Sequence, residues 1–417
     1  MAGSNRVVVT GLGVVSCLGL DYPAVVDSLR AGRSGLRAMP EWENFGLKSL
    51  VAGTLEGVEA KAESSDISKK LRNGMTDAAL YCSVAALDAA ADAGLDERDL
   101  GTRNIGCLVG SSTISGHAVH EASALTFAGK ARRVSPYTCY RSMCSGTSAS
   151  VASLIGVHGR SYSISSACAT STHNIGHAYE LIGAGLMDGA FAGGGEDINE
   201  LISSTFQALR IALSTKYNDT PRQASRPYDA DRDGFVLSGG GGIVFLENRE
   251  QALARGAQIR AEIVGFGANS DGFGLVLPDP EGHYAAACIE SALTDAGLGA
   301  EAVDYVNTHG TATLAGDAAE VAGMRKVFGS DMPPFSSTKS MAGHALGATG
   351  AHEVIYSVAM LEGGFMAPSI NIETLDPEFG GLPIVTSTTE KRLETVLTTN
   401  FGFGGTNAAL LLRSHHI

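Results

Sequence analysis

Tyr162-Ser-Ile-Ser-Ser-Ala-Cys168-Ala-Thr-Ser-Thr-His-Asn-Ile-Gly176 is the stretch on which the reading of this chain turns. Tyr162 to Ser166 alternates polar and apolar residues as a short strand does. Beyond the cysteine, Ile175, Ala178, Tyr179 and Ile182 recur at helical spacing. Cys168 therefore falls on a sharp strand-to-helix turn, where its small neighbours Ala167 and Ala169 leave room for a substrate carbonyl. Unpaired N–H groups at a helix start, and the positive end of its dipole, favour a thiolate. A small buried hydrophobe fits the same pattern and is the commoner fate of a single cysteine. The rest of the chain has to decide between them.

Working outward, 104–110 reads as a buried strand ending in Gly110-Ser-Ser-Thr113, and Ala190–Glu196 as another strand that enters a glycine turn. Residues 6–10 read as a strand followed by Gly11-Leu-Gly13. A dinucleotide fingerprint would need a third glycine and an acidic residue closing the next strand, and both are missing. Helical patterns cover 22–31 and 74–94. A long irregular stretch spans 214–242. Within it, Asp229-Ala-Asp231-Arg-Asp233-Gly234 imitates the start of a calcium loop, but Gly240 stands where a bidentate glutamate is required. A second half opens near Gln258, with strand-like runs at 303–307, 335–338 and 395–399 and helical ones at 317–328 and 350–362. Its last strand runs into Asn400-Phe-Gly-Phe-Gly-Gly-Thr-Asn407, an echo of the strand-to-Cys168 turn. The alternation predicts an α/β protein with largely parallel sheets and an internal duplication, divided into 1–257 and 258–417.

The 417 residues, 44% hydrophobic and 18% charged, suit a soluble globular chain with a large core. A net charge of −14 argues against nonspecific nucleic-acid binding. No apolar run is long enough to span a bilayer, and the N-terminus enters a strand at once rather than reading as a signal peptide. Seven cysteines without a Cys-x-x-Cys spacing point to a reducing cytoplasm. Basic residues cluster at Lys69-Lys70-Leu-Arg72 and Lys130-Ala-Arg132-Arg133; such runs are usually solvated surface.

Two more stretches carry chemistry. Asn307-Thr-His309-Gly-Thr311-Ala-Thr313 places a histidine just past a strand in a Gly/Thr loop, and Lys339-Ser-Met-Ala-Gly-His344-Ala-Leu-Gly places a second. Strand C-terminal ends are where α/β sites assemble. There is no His-Glu-x-x-His and no paired ligand spacing, so no metal is expected.

These motifs together resemble those of the beta-ketoacyl-acyl-carrier-protein synthases, condensing enzymes of fatty-acid and polyketide synthesis, and are most similar to the type I bacterial branch. The resemblance runs from Val7-Val-Val-Thr-Gly-Leu-Gly to Phe401-Gly-Phe403-Gly-Gly-Thr-Asn407, with Ser-Ser-Ala-Cys168-Ala-Thr-Ser, Asn-Thr-His309-Gly-Thr, and Lys339 with Gly-His344-Ala-Leu-Gly-Ala between. It implies a thiolase-like five-layer αβαβα fold built from two duplicated halves. It implies an elongating acyltransferase that loads an acyl chain on Cys168 and condenses it with decarboxylating malonyl-carrier protein. The catalytic set would be Cys168, His309, His344 and Lys339, with Glu320 pairing Lys339. The backbone N–H groups of Cys168 and Phe403 would form the oxyanion hole, Phe403 also being a gate. Thr311 and Thr313 would hold pantetheine, Thr113 would shape the acyl pocket, and Lys69, Lys70, Lys130, Arg132 and Arg133 would dock the acidic carrier. No cofactor is implied beyond the carrier's phosphopantetheine. The partners are the carrier and either a second copy or a chain-length-factor-like subunit.

Rival readings have signatures of their own. A noncatalytic partner subunit lacks the nucleophile, a degradative thiolase wants a second cysteine where Phe403 stands, and a starter-unit enzyme pairs histidine with asparagine. A cysteine hydrolase would release its acyl group to water. The chain departs from the family pattern at Ala312 and Leu314, at Thr399-Asn400 where Asn-Ser is usual, and at Thr113. Those departures bear on chain length and on the alternative of a type II polyketide or polyene ketosynthase.

Overall fold

The computed structural model describes residues 5–65, 67–210 and 212–415. Ten strands form one continuous sheet: β1 (Val7–Val15), β2 (Ile105–Gly110), β3 (Ser161–Tyr162), β4 (Gly189–Glu196), β5 (Gly240–Asn248), β6 (Ala261–Ser270), β7 (Tyr305–Asn307), β8 (Phe335–Ser336), β9 (Thr395–Gly402) and β10 (Thr406–Arg413). Their order across the sheet is β8-β7-β9-β10-β6-β1-β5-β4-β2-β3. Val7–Val9 of β1 pair antiparallel with Ala261–Ile263 of β6, and a cut at that seam leaves two five-stranded halves of the same topology. In each, the first strand is antiparallel to the fifth and the fifth to the fourth. The fourth is parallel to the second, and the second to the third. The duplication suggested by the two strand-to-glycine turns is thus written in the hydrogen-bond pattern.

The sheet is mixed, which corrects the expectation of largely parallel strands. The physical reason is plainest at β9 and β10, which the short glycine turn at 403–405 joins as a hairpin and so pairs antiparallel. Helices α1 (Asp77–Asp92) and α2 (Gly146–Ile155) cover the outer face of the first half, and α4 (His283–Ala296) and α5 (Leu314–Phe328) that of the second. Helices α3 (Thr170–Gly183) and α6 (Thr349–Gly363) lie between, each touching strands of both halves. Helix, strand, helix, strand and helix make five layers.

Burial on both faces explains the unbroken apolar runs in the central strands, such as Ile243–Leu246. It also explains Gly11 and Gly13. The strand predicted over 6–10 runs on through them to Val15. A Cβ on Gly13 would stand 1.8 Å from the Ala85 carbonyl oxygen, and one on Gly11 2.2 Å from that of Ala89. The glycines let β1 press against the backbone of α1. In the irregular stretch after α3, Asp229 accepts from the N–H groups of Asp231, Glu373 and Thr374 and pairs with buried Arg226. That carboxylate pins a loop.

Candidate active site

The nucleophile turn is shorter and tighter than the sequence pattern suggests. Regular strand ends at Tyr162, and the chain reaches Cys168 through a segment tied by side-chain hydrogen bonds. Asn174 Oδ1 accepts the Ile164 N–H at 3.1 Å, and Thr170 Oγ1 accepts that of Ser166 at 2.9 Å. Ala167 takes φ +50°, a conformation non-glycine residues rarely adopt. This bend turns Cys168 inward just ahead of α3, which begins at Thr170.

His309 leaves the end of β7, and His344 lies between the short helical turn Lys339–Ala342 and α6. The structure brings both to Cys168. His344 Nε2 is 3.0 Å from Cys168 Sγ, and its Nδ1 is 3.1 Å from Thr349 Oγ1. The His309 and His344 rings meet edge to face with centroids 5.2 Å apart. Ligand atoms of the three side chains lie within 4.8 Å of one another. By distance alone this set also suits a soft metal ion.

All three are buried in a cavity of about 500 Å³, whose lining also includes Phe235, Phe401 and Phe403. Burial pushes the Cys168 thiol up to about 12, against the lowering influence of Lys339 and of the Phe403 and Cys168 N–H groups. A helix end favours a thiolate, but here desolvation outweighs it and the resting group is a thiol. Burial, then the Lys339 charge, hold both imidazoles well below the usual histidine range; His344 adds to the effect on His309. Both rings are neutral at pH 7.

Lys339 is buried, and its ammonium pairs with Glu353 on α6 rather than with Glu320. This corrects the pairing implied by the resemblance. Glu320 is otherwise engaged: its carboxylate accepts the N–H groups of His309 and Gly310, each at 2.7 Å, and the Thr399 hydroxyl at 2.7 Å. It holds the loop that carries His309. Burial raises the Glu353 carboxyl to about 7, with Lys339 the first influence opposing it.

Thr311 and Thr313 line the cavity with their hydroxyl oxygens 3.0 Å apart, and Thr313 Oγ1 caps α5 by accepting the Gly316 N–H. Thr113 lies outside the lining of this cavity. Its hydroxyl turns to the buried Glu196 carboxylate at 2.6 Å, which also accepts the Gly347 N–H at 2.9 Å. Lys69 and Lys70 lie on a short helix, and Lys130, Arg132 and Arg133 on and beside a single 3-10 turn. All five are exposed and outside the cavity.

Glu353 and Thr349 went unread in the sequence. Glu353 was detectable in principle, as a carboxylate inside an apolar helical run that must find a partner.

A thiol on a strained strand-to-helix turn, faced by two neutral imidazoles at the seam of a duplicated fold, defines a thiolase-like acyltransferase. Residues 4–252 match the beta-ketoacyl synthase N-terminal domain and residues 260–373 its C-terminal domain. The chain belongs to the beta-ketoacyl synthase family. It is 48% identical over 412 residues to the 3-oxoacyl-[acyl-carrier-protein] synthase 1 of Escherichia coli (strain K12), covering 98% of this chain and 99% of that one. It is 45% identical over 414 residues to the Haemophilus influenzae protein of the same name, covering 99% and 100%. Among solved structures, a beta-ketoacyl synthase from Burkholderia phymatum STM815 superimposes with a TM-score of 0.93 at 36% identity, covering 98% of this chain and 99% of that one. The ishigamide ketosynthase/chain length factor gives 0.89 at 30%, covering 99% and 100%.

Proposed function

We propose that this chain is an elongating beta-ketoacyl-acyl-carrier-protein synthase with Cys168 as nucleophile. The observation that carries the reading is the 3.0 Å contact between Cys168 Sγ and His344 Nε2 in a cavity that also holds His309. As sulfur attacks the thioester carbonyl of an acyl-carrier protein, its proton passes to His344. The tetrahedral oxyanion meets the Cys168 and Phe403 N–H groups. The carrier's thiol leaves with the proton from His344. Malonyl-carrier protein then enters and loses carbon dioxide. Once the Nδ1 proton of His344 has exchanged through solvent to Nε2, the resulting enolate oxygen takes hydrogen bonds from the neutral rings of His309 and His344, worth about 3 kcal/mol of barrier for each well-placed donor. The enolate carbon attacks the acyl carbonyl, 3-oxoacyl-carrier protein forms, and the Cys168 sulfur leaves as a thiolate that takes up one proton from solvent.

Lys339 keeps both rings neutral, Thr311 and Thr313 guide the pantetheine arm, and the five exposed cations dock an acidic carrier. The chemistry needs no metal or resident cofactor. Metal analysis of active enzyme without stoichiometric zinc supports that, and loss of acylation on chelation contradicts it. The unit is a homodimer of chains divided at 257/258, in a reducing compartment where the seven free cysteines stay reduced. Pairing with a chain-length partner is the alternative, and isolation of an active enzyme from this chain alone excludes it. Among the described residues no helix is long and apolar enough to cross a membrane.

Intact-mass measurement with acyl-carrier proteins of graded chain length tests the reading. One acyl adduct per chain is expected, absent in Cys168→Ala; an adduct that survives Cys168→Ala refutes it.

A further inference from the structure

Asn400 lies on β9, fully buried between the helix that follows the nucleophile and the loop of His309. Its Oδ1 accepts from the Thr172 hydroxyl on α3. Its Nδ2 donates to Glu353 Oε2 at 2.7 Å. The same Nδ2 is 3.5 Å from His309 Nδ1. The other Glu353 oxygen takes the Lys339 ammonium. An ionised carboxylate only accepts, so the amide nitrogen, not the oxygen, must face Glu353. An amide NH2 only donates, so the ring nitrogen turned towards it must be the bare one. The His309 proton is then on Nε2. Among the described residues no other side chain hydrogen-bonds His309 Nδ1.

We propose that Asn400 is a positioning residue that fixes His309 as the Nε2–H tautomer and so makes it a hydrogen-bond donor in the decarboxylation step. The proposal rests on the reaction put forward above. His309 itself would touch the enolate; Asn400 acts only through it. The charged and titratable groups around the ring are Lys339, His344 and Cys168, with Glu320 reaching its backbone N–H and Glu353 reaching it through Asn400.

Asn400→Asp puts an oxygen where the NH2 stands. His309 Nδ1 then becomes the protonated atom, and Nε2 is either bare or part of an imidazolium. Asn400→Ser leaves a short donor and room for a water. Two steps are measured on the full-length enzyme: acylation of Cys168 by an acyl-carrier protein, by intact mass, and carbon dioxide release from malonyl-carrier protein. For Asn400→Asp, acylation stays within about 3-fold of wild type while decarboxylation falls about 100-fold, the scale of one lost transition-state donor. The variant's decarboxylation rate also recovers as pH falls, because a carboxylate beside the ring raises its pKa and protonation returns a proton to Nε2. Asn400→Ser recovers decarboxylation to within about 10-fold of wild type, as a retained donor should allow.

Unchanged decarboxylation with an unchanged pH profile in Asn400→Asp overturns the proposal. So does an equal loss in both steps, which would mark a packing role. If Asn400→Asp does not fold, nitrogen NMR of wild type labelled in histidine decides: a protonated Nε2 with a bare Nδ1 at His309 supports the assignment, and the reverse overturns it. A wild-type enzyme that does not acylate at Cys168 refutes the reaction itself, and is distinguished because it appears before any variant is made.

Discussion

Lys339→Met tests the electrostatics of the site through stability. Methionine fills the space of the lysine stem but leaves Glu353 buried, with only Asn400 bonding the carboxylate. Removing one partner of a buried pair costs about 3–5 kcal/mol when the other keeps its charge. Glu353 has an escape, because burial already lifts it to about 7 and Lys339 is the first influence holding it down. Without the lysine it rises further. A carboxyl whose folded pKa is raised contributes stability below its unfolded pKa and loses it as pH climbs through the folded value. The variant should therefore be hurt most in alkali. With an unfolding entropy of roughly 0.9 kcal/mol/K for a chain of this size, the loss in Tm at pH 8.5 is about 3–6 °C. At pH 5.5 Glu353 is neutral and the loss shrinks to about 1–2 °C. Scanning calorimetry of wild type and variant at both values reads the difference. A loss that is equal at the two pH values, or absent at both, would refute the placement of a charged Lys339–Glu353 pair.

Alkylation of Cys168 by iodoacetamide should keep accelerating with pH through 9, since the thiol sits at about 12; a plateau below pH 8 would mean a resting thiolate. His344→Ala should slow acylation about 100-fold, because the base 3.0 Å from the sulfur is gone, and abolish condensation; wild-type acylation rates would remove His344 from the first step. Lys70→Glu with Arg132→Glu should raise KM for carrier-bound substrate, more at low salt than at high, with kcat unchanged; an unchanged KM would take these exposed residues out of the docking surface.

How far the sequence reached depended on what each residue's neighbours recorded. Cys168, His309 and His344 stand in Gly/Ala/Thr-lined turns after strands, and that local pattern brought all three forward. The α/β class followed from alternation of strands and helices, whereas the five layers followed from family likeness alone. Strand direction did not follow, because periodicity has no sign: β9 and β10 read alike whether parallel or antiparallel. The strand predicted over 6–10 stopped short of Gly11 and Gly13, because a glycine pressed against a helix and a glycine that ends a strand share the same letter. The partner of Lys339 was missed for a similar reason. Helix α6 is buried on nearly every face, so no amphipathic stripe sets Glu353 apart, and the family likeness pointed to Glu320 instead. Thr113 was placed by position, and only coordinates show its hydroxyl turned to Glu196.

The most direct test of the central claim is to follow carbon. Enzyme loaded with an acyl group from its carrier is given malonyl-carrier protein labelled in the methylene carbon, and the carrier-bound product is weighed. The account predicts a 3-oxoacyl-carrier protein two carbons longer, with the label retained, one carbon dioxide released and Cys168 returned to the free thiol. Free fatty acid with unextended carrier would contradict it, since that outcome belongs to a hydrolase and leaves the two facing imidazoles with no enolate to hold.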